Sequence, residues 1–351
     1  MIRNLVNGSN FAKNSNFVFS EIVTSEEFKK LKLENQDLLI IREYKYLKLD
    51  AIWYINPKIK LKENDVIFCH TEVVKILFEC LLRFKNLKNL KLITHESDKK
   101  IDKSLFAKKT SNISEWYSTN VDLKTDSLIS LPIGVNNFYN KNNFDLNIQE
   151  SYFKDSVPKE KYEQIFVNFT LNTNLKHRKK ALNFAEKLDK KNVLIDLDKD
   201  VDKYYQNISK SKYTLAPWGN GIDTHRFWEA LYMGSCPITL DHTHYSSFKN
   251  IPGIFLKTYS NINYEDIDNR FIEFNPNEID YLKIDYWFKK INNYKINDSE
   301  IFEVNLFNFI KYRIFIFKLK IKIISLSKKI KYYIKRFLNL KNYFKFIKKF
   351  F

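Results

Sequence analysis

Residues 211–240 (SKYTLAPWGNGIDTHRFWEALYMGSCPITL) concentrate side chains able to do chemistry. They include three of the six glycines, Gly219, Gly221 and Gly234. A strand ends at Ala216, a glycine-containing loop follows, and a helix begins near Asp223 or Thr224. Such a loop feeding a helix N-terminus suits an anion, because free backbone N–H groups and the helix dipole both face it. Arg226 falls in the first turn, where a guanidinium can grip a diphosphate through two parallel hydrogen bonds. Glu229, three residues on, shares its face. A carboxylate there can accept hydrogen bonds from both hydroxyls of a ribose. The pair suits a nucleoside diphosphate; the same spacing also describes an ion pair on a helix surface.

These residues need elements to hold them. Short apolar runs over 37–42, 65–70, 91–94 and 128–133 read as strands, with helical periodicity over 73–84. A second set opens with a strand over 165–171 and continues helix 175–188, strand 193–197, helix 201–209, strand 213–216, helix 224–233, strand 237–240. Strands alternating with helices predict parallel sheets covered on both faces. The polar stretch 140–161 has no clear period and reads as a linker. The expected architecture is α/β: one domain over 1–150, a second over 151–305, and a cleft between them at the carboxyl ends of the strands.

Composition narrows the functional class. The 351 residues suffice for two cores, and 44% apolar content excludes a disordered chain. The net charge of +18 is unevenly spread: residues 305–351 hold 14 Lys or Arg and no Asp or Glu. The remainder carries 45 basic and 41 acidic residues, which argues against a nucleic-acid groove in the body. Cys69, Cys80 and Cys236 are widely spaced in apolar runs and read as buried thiols in a reducing compartment.

The segment over 211–241 resembles the signature of exostosin-like glycosyltransferases, in which S/A-P-x-G-N-G-I/L-D-x-H-R-x-W-E-A-L-x-x-G-x-x-P-I marks the donor site. The matching residues are Pro217, Gly219, Asn220, Gly221, Asp223, His225, Arg226, Trp228, Glu229, Ala230, Leu231, Gly234 and Pro237. The resemblance implies a GT-B fold, two Rossmann-like doubly wound domains with this helix in the C-terminal one. It implies Arg226 on the diphosphate and Glu229 on the ribose of a nucleotide-sugar donor. Pro217, Gly219, Asn220, Gly221, Asp223 and His225 would complete the donor site. Weaker resemblance covers Val167-Asn168-Phe169, Asn172-Thr173-Asn174 and Arg178, with Arg178 as a second phosphate contact or a solvated helix residue. It also covers Thr94-His95-Glu96-Ser97-Asp98, Trp116-Tyr117-x-x-Asn120 and Leu131-Pro132-Ile133-Gly134.

An inverting sugar transfer needs a general base for the acceptor hydroxyl. His95 and Asp98 follow the strand over 91–94 and are the catalytic candidates; His70, ending the neighbouring strand, is a third. Both His95 and Asp98 also read as caps of a following helix. A retaining transfer needs no such base. Asp196-Leu197-Asp198 could hold a divalent metal, but a solvated turn is the simpler reading. A GT-B site substitutes a helix N-terminus and basic side chains for the metal, so no metal and no cofactor beyond the donor are expected. His242 and His244 lack further zinc ligands and read as a loop lining the cleft or as surface residues.

The tail over 306–351 is basic. From Lys328 onward Ile330, Tyr333, Ile334, Phe337, Leu338, Phe344, Ile347 and Phe351 follow helical spacing among lysines. A basic amphipathic helix over 328–351 suits an anionic membrane surface; the alternative is a helix packed back on the body. Residues 313–322 alternate more like a strand. The N-terminus lacks a signal-peptide core, and no apolar run approaches the ~20 residues of a spanning helix. The sequence thus predicts a cytoplasmic glycosyltransferase peripheral to the inner membrane face. It would serve a glycan or lipid-linked acceptor in surface polysaccharide or lipopolysaccharide synthesis, with no nucleic-acid partner. A sugar-nucleotide epimerase or hydrolase on the same fold, and a nucleotide- or glycan-binding protein without turnover, are the rival readings.

Overall fold

The computed structural model describes residues 4–46, 49–137, 139, 161–292 and 300–347. The linker expected over 140–161 lies outside them except for Lys161. The chain divides into two compact units, Met1–Asn305 and Leu306–Phe351.

Eight strands come first: β1 (Phe17–Thr24), β2 (Leu39–Tyr46), β3 (Leu49–Ile55), β4 (Lys58–Leu61), β5 (Val66–His70), β6 (Leu90–His95), β7 (Ile113–Ser118) and β8 (Leu128–Ser130). Seven of them form a sheet in the order β2-β3-β1-β5-β6-β7-β8. From β1 to β8 neighbours run parallel. Every residue of β5 and β6 is buried, as in parallel strands covered on both faces. Even Lys91 is buried, its Nζ 3.0 Å from Glu115 Oε2 and donating to the Ile291 carbonyl at 3.0 Å.

One edge departs from the parallel sheet that the strand–helix alternation predicts. β3 runs antiparallel to both β1 and β2. Two residues separate β2 from β3, and so short a link permits only a hairpin; a parallel crossover needs a dozen residues or more.

The second sheet is parallel throughout: β9 (Tyr162–Val167), β10 (Val193–Ile195), β11 (Ser211–Leu215), β12 (Cys236–Leu240) and β13 (Ile254–Leu256), in the order β10-β9-β11-β12-β13. Helices Leu175–Ala185, Val201–Lys210 and His225–Tyr232 lie between its strands in sequence. One core serves both sheets. Val66, Phe68, Ile93 and Leu131 cluster with Ile222, Phe227, Trp228, Leu231 and Trp287. A separate cluster, including Val167, Ala181, Leu215 and Ile238, belongs to the second sheet. The chain returns at its end to the first half, where β14 (Phe302–Asn305) pairs antiparallel with β4. The three cysteines are free and buried.

The second unit is a helix over Phe307–Ile347. The strand-like alternation over 313–322 is therefore helical. No glycine or proline interrupts the helix, and its apolar residues also fit a helical face. Tyr312, Ile316, Leu319, Ile323, Leu326, Ile330 and Tyr333 recur at alternating steps of four and three, which aligns them on one side. All but Ile316 are exposed. Of residues 328–351, side chains are described only through Ile334, so much of the face expected to meet a membrane lies outside the described residues. Among the described residues no helix is long and apolar enough to cross a membrane.

Candidate functional site

A cleft of about 1190 Å³ lies at the carboxyl ends of strands from both sheets, the position where open α/β sheets take ligands. Asp98, beyond β6, and Ile133 and Asn136, beyond β8, line one side. Residues 168–173 after β9, 197–201 after β10, and 219–221 and 223–226 after β11 line the other, together with Arg178, Tyr204 and Glu229.

Two cations meet there. The His225–Tyr232 helix buries Phe227, Trp228, Ala230 and Leu231, and this turns Arg226 and Glu229 toward the cleft. Arg226 lies over the Phe169 ring at 5.9 Å, and Arg178 over the same ring at 5.8 Å. Arg178 is anchored: Nη1 donates to the Thr170 carbonyl at 2.7 Å and Nε to the Trp218 carbonyl at 3.2 Å. Burial, then the neighbouring Arg226, lowers its pKa to about 10, so it stays charged at neutral pH. Arg226 Nε, by contrast, is buried with no hydrogen-bond partner. The helix also lacks a side-chain cap: Thr224 stands at the cap position with its hydroxyl buried and unpartnered. Unpartnered buried donors are costly. A helix N-terminus, a hydroxyl and a guanidinium Nε without partners, in one cleft, are donors arranged for an anion.

Glu229 is buried and already engaged. Tyr204 donates its hydroxyl to Oε2 at 2.7 Å, and Tyr205 and Asn136 Nδ2 donate to Oε1 at 3.1 and 3.3 Å. A carboxylate offers about four acceptor sites. Room therefore remains for about one further hydroxyl, on Oε2, where the spacing alone suggests two. Nothing in the sequence distinguishes Tyr204 and Tyr205 from their neighbours as the residues that orient Glu229.

The loop before the helix is tied down from both sides. Asn120 Oδ1, beyond β7, accepts the backbone N–H groups of Ile222 and Asp223. A Cβ on Gly221 would come within 2.7 Å of that oxygen. Asn174 Nδ2 donates to the Gly219 carbonyl at 2.7 Å, and a Cβ on Gly219 would stand 3.0 Å from Arg178 Nη2. Asn220 is exposed in the cleft, while Pro217 is buried and does not line it. Asp223 reaches the cleft wall, but its oxygens serve the protein. They accept from the Ile133 backbone at 2.7 Å, from Trp228 Nε1 at 2.8 and 2.9 Å, and from the Tyr245 hydroxyl at 3.2 Å. His225 Nδ1 donates to the Gly134 carbonyl at 2.8 Å.

No protein-family model matches this sequence, and no curated protein is similar to it.

The three candidate bases separate. Asp98 is exposed and lines the cleft. His95 is fully buried; Nε2 lies 3.2 Å from the Pro132 carbonyl, and burial lowers its pKa to about 4, so it is neutral at pH 7. His70 is buried against Trp53, with ring centroids 4.2 Å apart, and burial lowers its pKa to about 3. It lines neither the cleft nor the smaller pocket beside it.

Asp196 and Asp198 both pair with Lys203, at 3.0 and 3.6 Å. Asp198 accepts the backbone N–H groups of Lys199 and Asp200, a turn of the kind the sequence predicts. His242 and His244 differ from expectation. His244 is fully buried, its Nε2 3.2 Å from Asp223 Oδ2, and His242 Nε2 lies 3.1 Å from Asp122 Oδ1. Neither lines the cleft. His244 Nδ1 accepts the Val121 backbone N–H at 3.4 Å, so the ring packs into the interior beside Asp223 rather than onto the cleft.

Proposed function

We propose that this protein is a glycosyltransferase, of the GT-B and exostosin-like kind, that moves a sugar from a nucleoside-diphosphate donor to a glycan or lipid-linked glycan. The observation that carries this reading is the set of buried, unpartnered donors in the cleft, Arg226 Nε and the Thr224 hydroxyl, at an uncapped helix N-terminus beside Arg178. Two guanidinium groups and a helix dipole match a diphosphate, whose charge grows as it departs. Glu229 would take a ribose hydroxyl on Oε2. The cations then do the work that a metal does in other transferases, so transfer proceeds in EDTA. The signature over 211–241 supports the same reading.

The helix Phe307–Ile347 would hold the enzyme on an anionic membrane surface, at the inner membrane face for a cytoplasmic protein. Charge supports this choice, since no Asp or Glu offsets its basic residues. The activity is tested by incubating the purified protein with nucleotide sugars and a panel of methyl glycosides. Release of nucleoside diphosphate that depends on the glycoside supports transfer. Release without any glycoside favours a hydrolase, and nucleotide binding with no release favours a protein without turnover.

A further inference from the structure

A second pocket, of about 340 Å³, adjoins the cleft. The two share Asp98, Ile133 and His225 on their walls. The smaller one is otherwise lined by Glu72, His95, Glu96, Ser97, Asn137 and Tyr139, all polar, with donors and acceptors among them.

We propose that this pocket is the acceptor subsite, sized for one sugar ring, and that Glu96 is the catalytic base that takes the proton of the acceptor hydroxyl. The proposal rests on the glycosyltransferase reading and identifies the acceptor side of the same site.

Glu96 follows directly on β6 with φ of 62°, in the left-handed region that side chains other than glycine's rarely adopt. Such conformations persist where the surroundings enforce them, and they gather at active sites. Here the surroundings are specific. Oε2 accepts the backbone N–H of Ile22, on β1, at 3.1 Å. Oε1 accepts Asn137 Nδ2 at 3.3 Å, and Asn137 is held in turn by the Ser9 backbone N–H at 3.1 Å. Gly8 leaves the space that the Glu96 side chain fills, for a Cβ there would lie 2.7 Å from Glu96 Cγ. The carboxylate is fixed by these two bonds, and about two of its four acceptor sites remain for the pocket.

His95 supplies an independent sign of a missing ligand. It is fully buried and lines the pocket, and its Nδ1 has no partner. Because Nε2 faces a carbonyl, which only accepts, the proton sits on Nε2, and Nδ1 is an acceptor awaiting a hydroxyl. As a base it is too weak; as a positioning residue for a sugar hydroxyl it is well placed.

The electrostatics suit a base. Burial raises the Glu96 carboxyl to about 8 against the Ile22 hydrogen bond. Glu21 on β1 is raised as well, by burial and by the Glu96 charge, with Glu27 and Lys13 acting on it in opposite senses and Tyr54 hydrogen-bonded to it. Tyr139, on the same pocket wall, has its ionisation raised by burial and then by the Glu96 charge. A carboxylate with a raised pKa accepts a proton more readily once it is ionised.

The step balances as follows. The acceptor O–H bond breaks and its proton goes to Glu96. The acceptor oxygen forms a bond to the anomeric carbon from the side opposite the diphosphate. The bond from that carbon to the diphosphate oxygen breaks, and its electron pair leaves with the diphosphate, toward Arg226 and Arg178. Configuration at the anomeric carbon inverts. Glu96 returns its proton to water when product leaves.

The test compares wild type, Glu96→Gln and Glu96→Asp, first for the thermal shift produced by UDP and GDP, then for transfer to methyl glycosides. All three proteins should show the same nucleotide shift. Transfer should fall at least about 100-fold in Glu96→Gln and less in Glu96→Asp. Wild-type kcat/KM should rise with pH up to about 8, and Glu96→Gln should lose that limb. NMR of the first-formed product should show inverted configuration. Transfer undiminished in Glu96→Gln, or a product of retained configuration, overturns the assignment while leaving the donor site standing. Absence of any nucleotide shift in the wild type overturns the donor reading itself, and the acceptor subsite with it.

Discussion

Asn120 Oδ1 accepts the backbone N–H groups of both Ile222 and Asp223, at 2.7 and 2.9 Å. A single side chain at the end of the first sheet thus fixes the loop that opens the His225–Tyr232 helix in the second. The loop's shape depends on residues a hundred positions away, and so does the direction in which the helix presents Arg226.

Asn120→Ala leaves two buried N–H groups without acceptors. At about 1–3 kcal/mol for each orphaned group, stability should fall by at least about 2 kcal/mol in urea unfolding. Gly221→Ala should act through the same contact, because its Cβ would crowd the Asn120 oxygen. A loss below about 0.5 kcal/mol for both variants would mean that the loop holds its shape unaided.

Asp223→Asn tests whether that residue serves the ligand or the fold. Asparagine would turn an N–H₂ toward groups that donate, Ile133 N–H or Trp228 Nε1–H. A stability loss of about 2–4 kcal/mol is expected. Unchanged stability with weakened nucleotide binding would make Asp223 a ligand residue instead.

Stability should respond to pH through Glu96 and His95 in opposite directions. Glu96 keeps its proton in the fold up to about 8, while its ordinary value is 4.5, so the fold binds more protons across that window. Stability is therefore lost as pH rises through it. His95 is neutral in the fold down to about 4 against an ordinary 6.5, so stability is lost as pH falls from 6.5 toward 4. Melting curves from pH 6.5 to 8.5 should decline in the wild type and decline less in Glu96→Gln. The acid-side loss should persist in both. Equal alkaline declines would show that Glu96 does not carry the raised pKa.

The membrane reading is tested on the full chain. Replacing Lys328, Lys329 and Lys331 by glutamate should reduce binding to anionic vesicles more than 100-fold, since each basic residue near such a surface contributes about 1 kcal/mol. Unaltered cosedimentation with those vesicles would exclude these lysines as the anchor.

Much of the second sheet was legible in the sequence because its elements are local. Runs such as residues 193–197 and 213–216 carry strand signals, and Gly219 and Gly221 mark the turn before a helix. Within the antiparallel edge the short link makes β2 and β3 a hairpin, but the pairing of β1 with β3 depends on strand order, which no local pattern carries. Arg226 and Glu229 announce themselves by spacing on one helix. Tyr204 and Tyr205, on the Val201–Lys210 helix, and Asn136, beyond β8, occupy Glu229 from elements other than its own and give no such signal. Glu96 stands between the two candidate bases, His95 and Asp98. Its left-handed backbone and the clearance left by Gly8 are properties of the fold, so no sequence pattern singles it out.

The donor cleft is tested most directly by titrating UDP and GDP, with CMP as a monophosphate control, into the wild type and Arg226→Ala while following thermal unfolding. Arg226 is the better choice than Glu229, whose removal would also strand the Tyr204 and Tyr205 hydroxyls. A nucleoside diphosphate at 100 times its dissociation constant should stabilise the wild type by about 2.7 kcal/mol. Arg226→Ala should unfold at the wild-type temperature or above without nucleotide, and should show about 10- to 100-fold weaker binding, the loss of about 1.5–3 kcal/mol of charge-assisted hydrogen bonding. No stabilisation of the folded wild type by either diphosphate, or equal stabilisation of Arg226→Ala, would contradict the assignment of this cleft to a nucleotide-sugar donor.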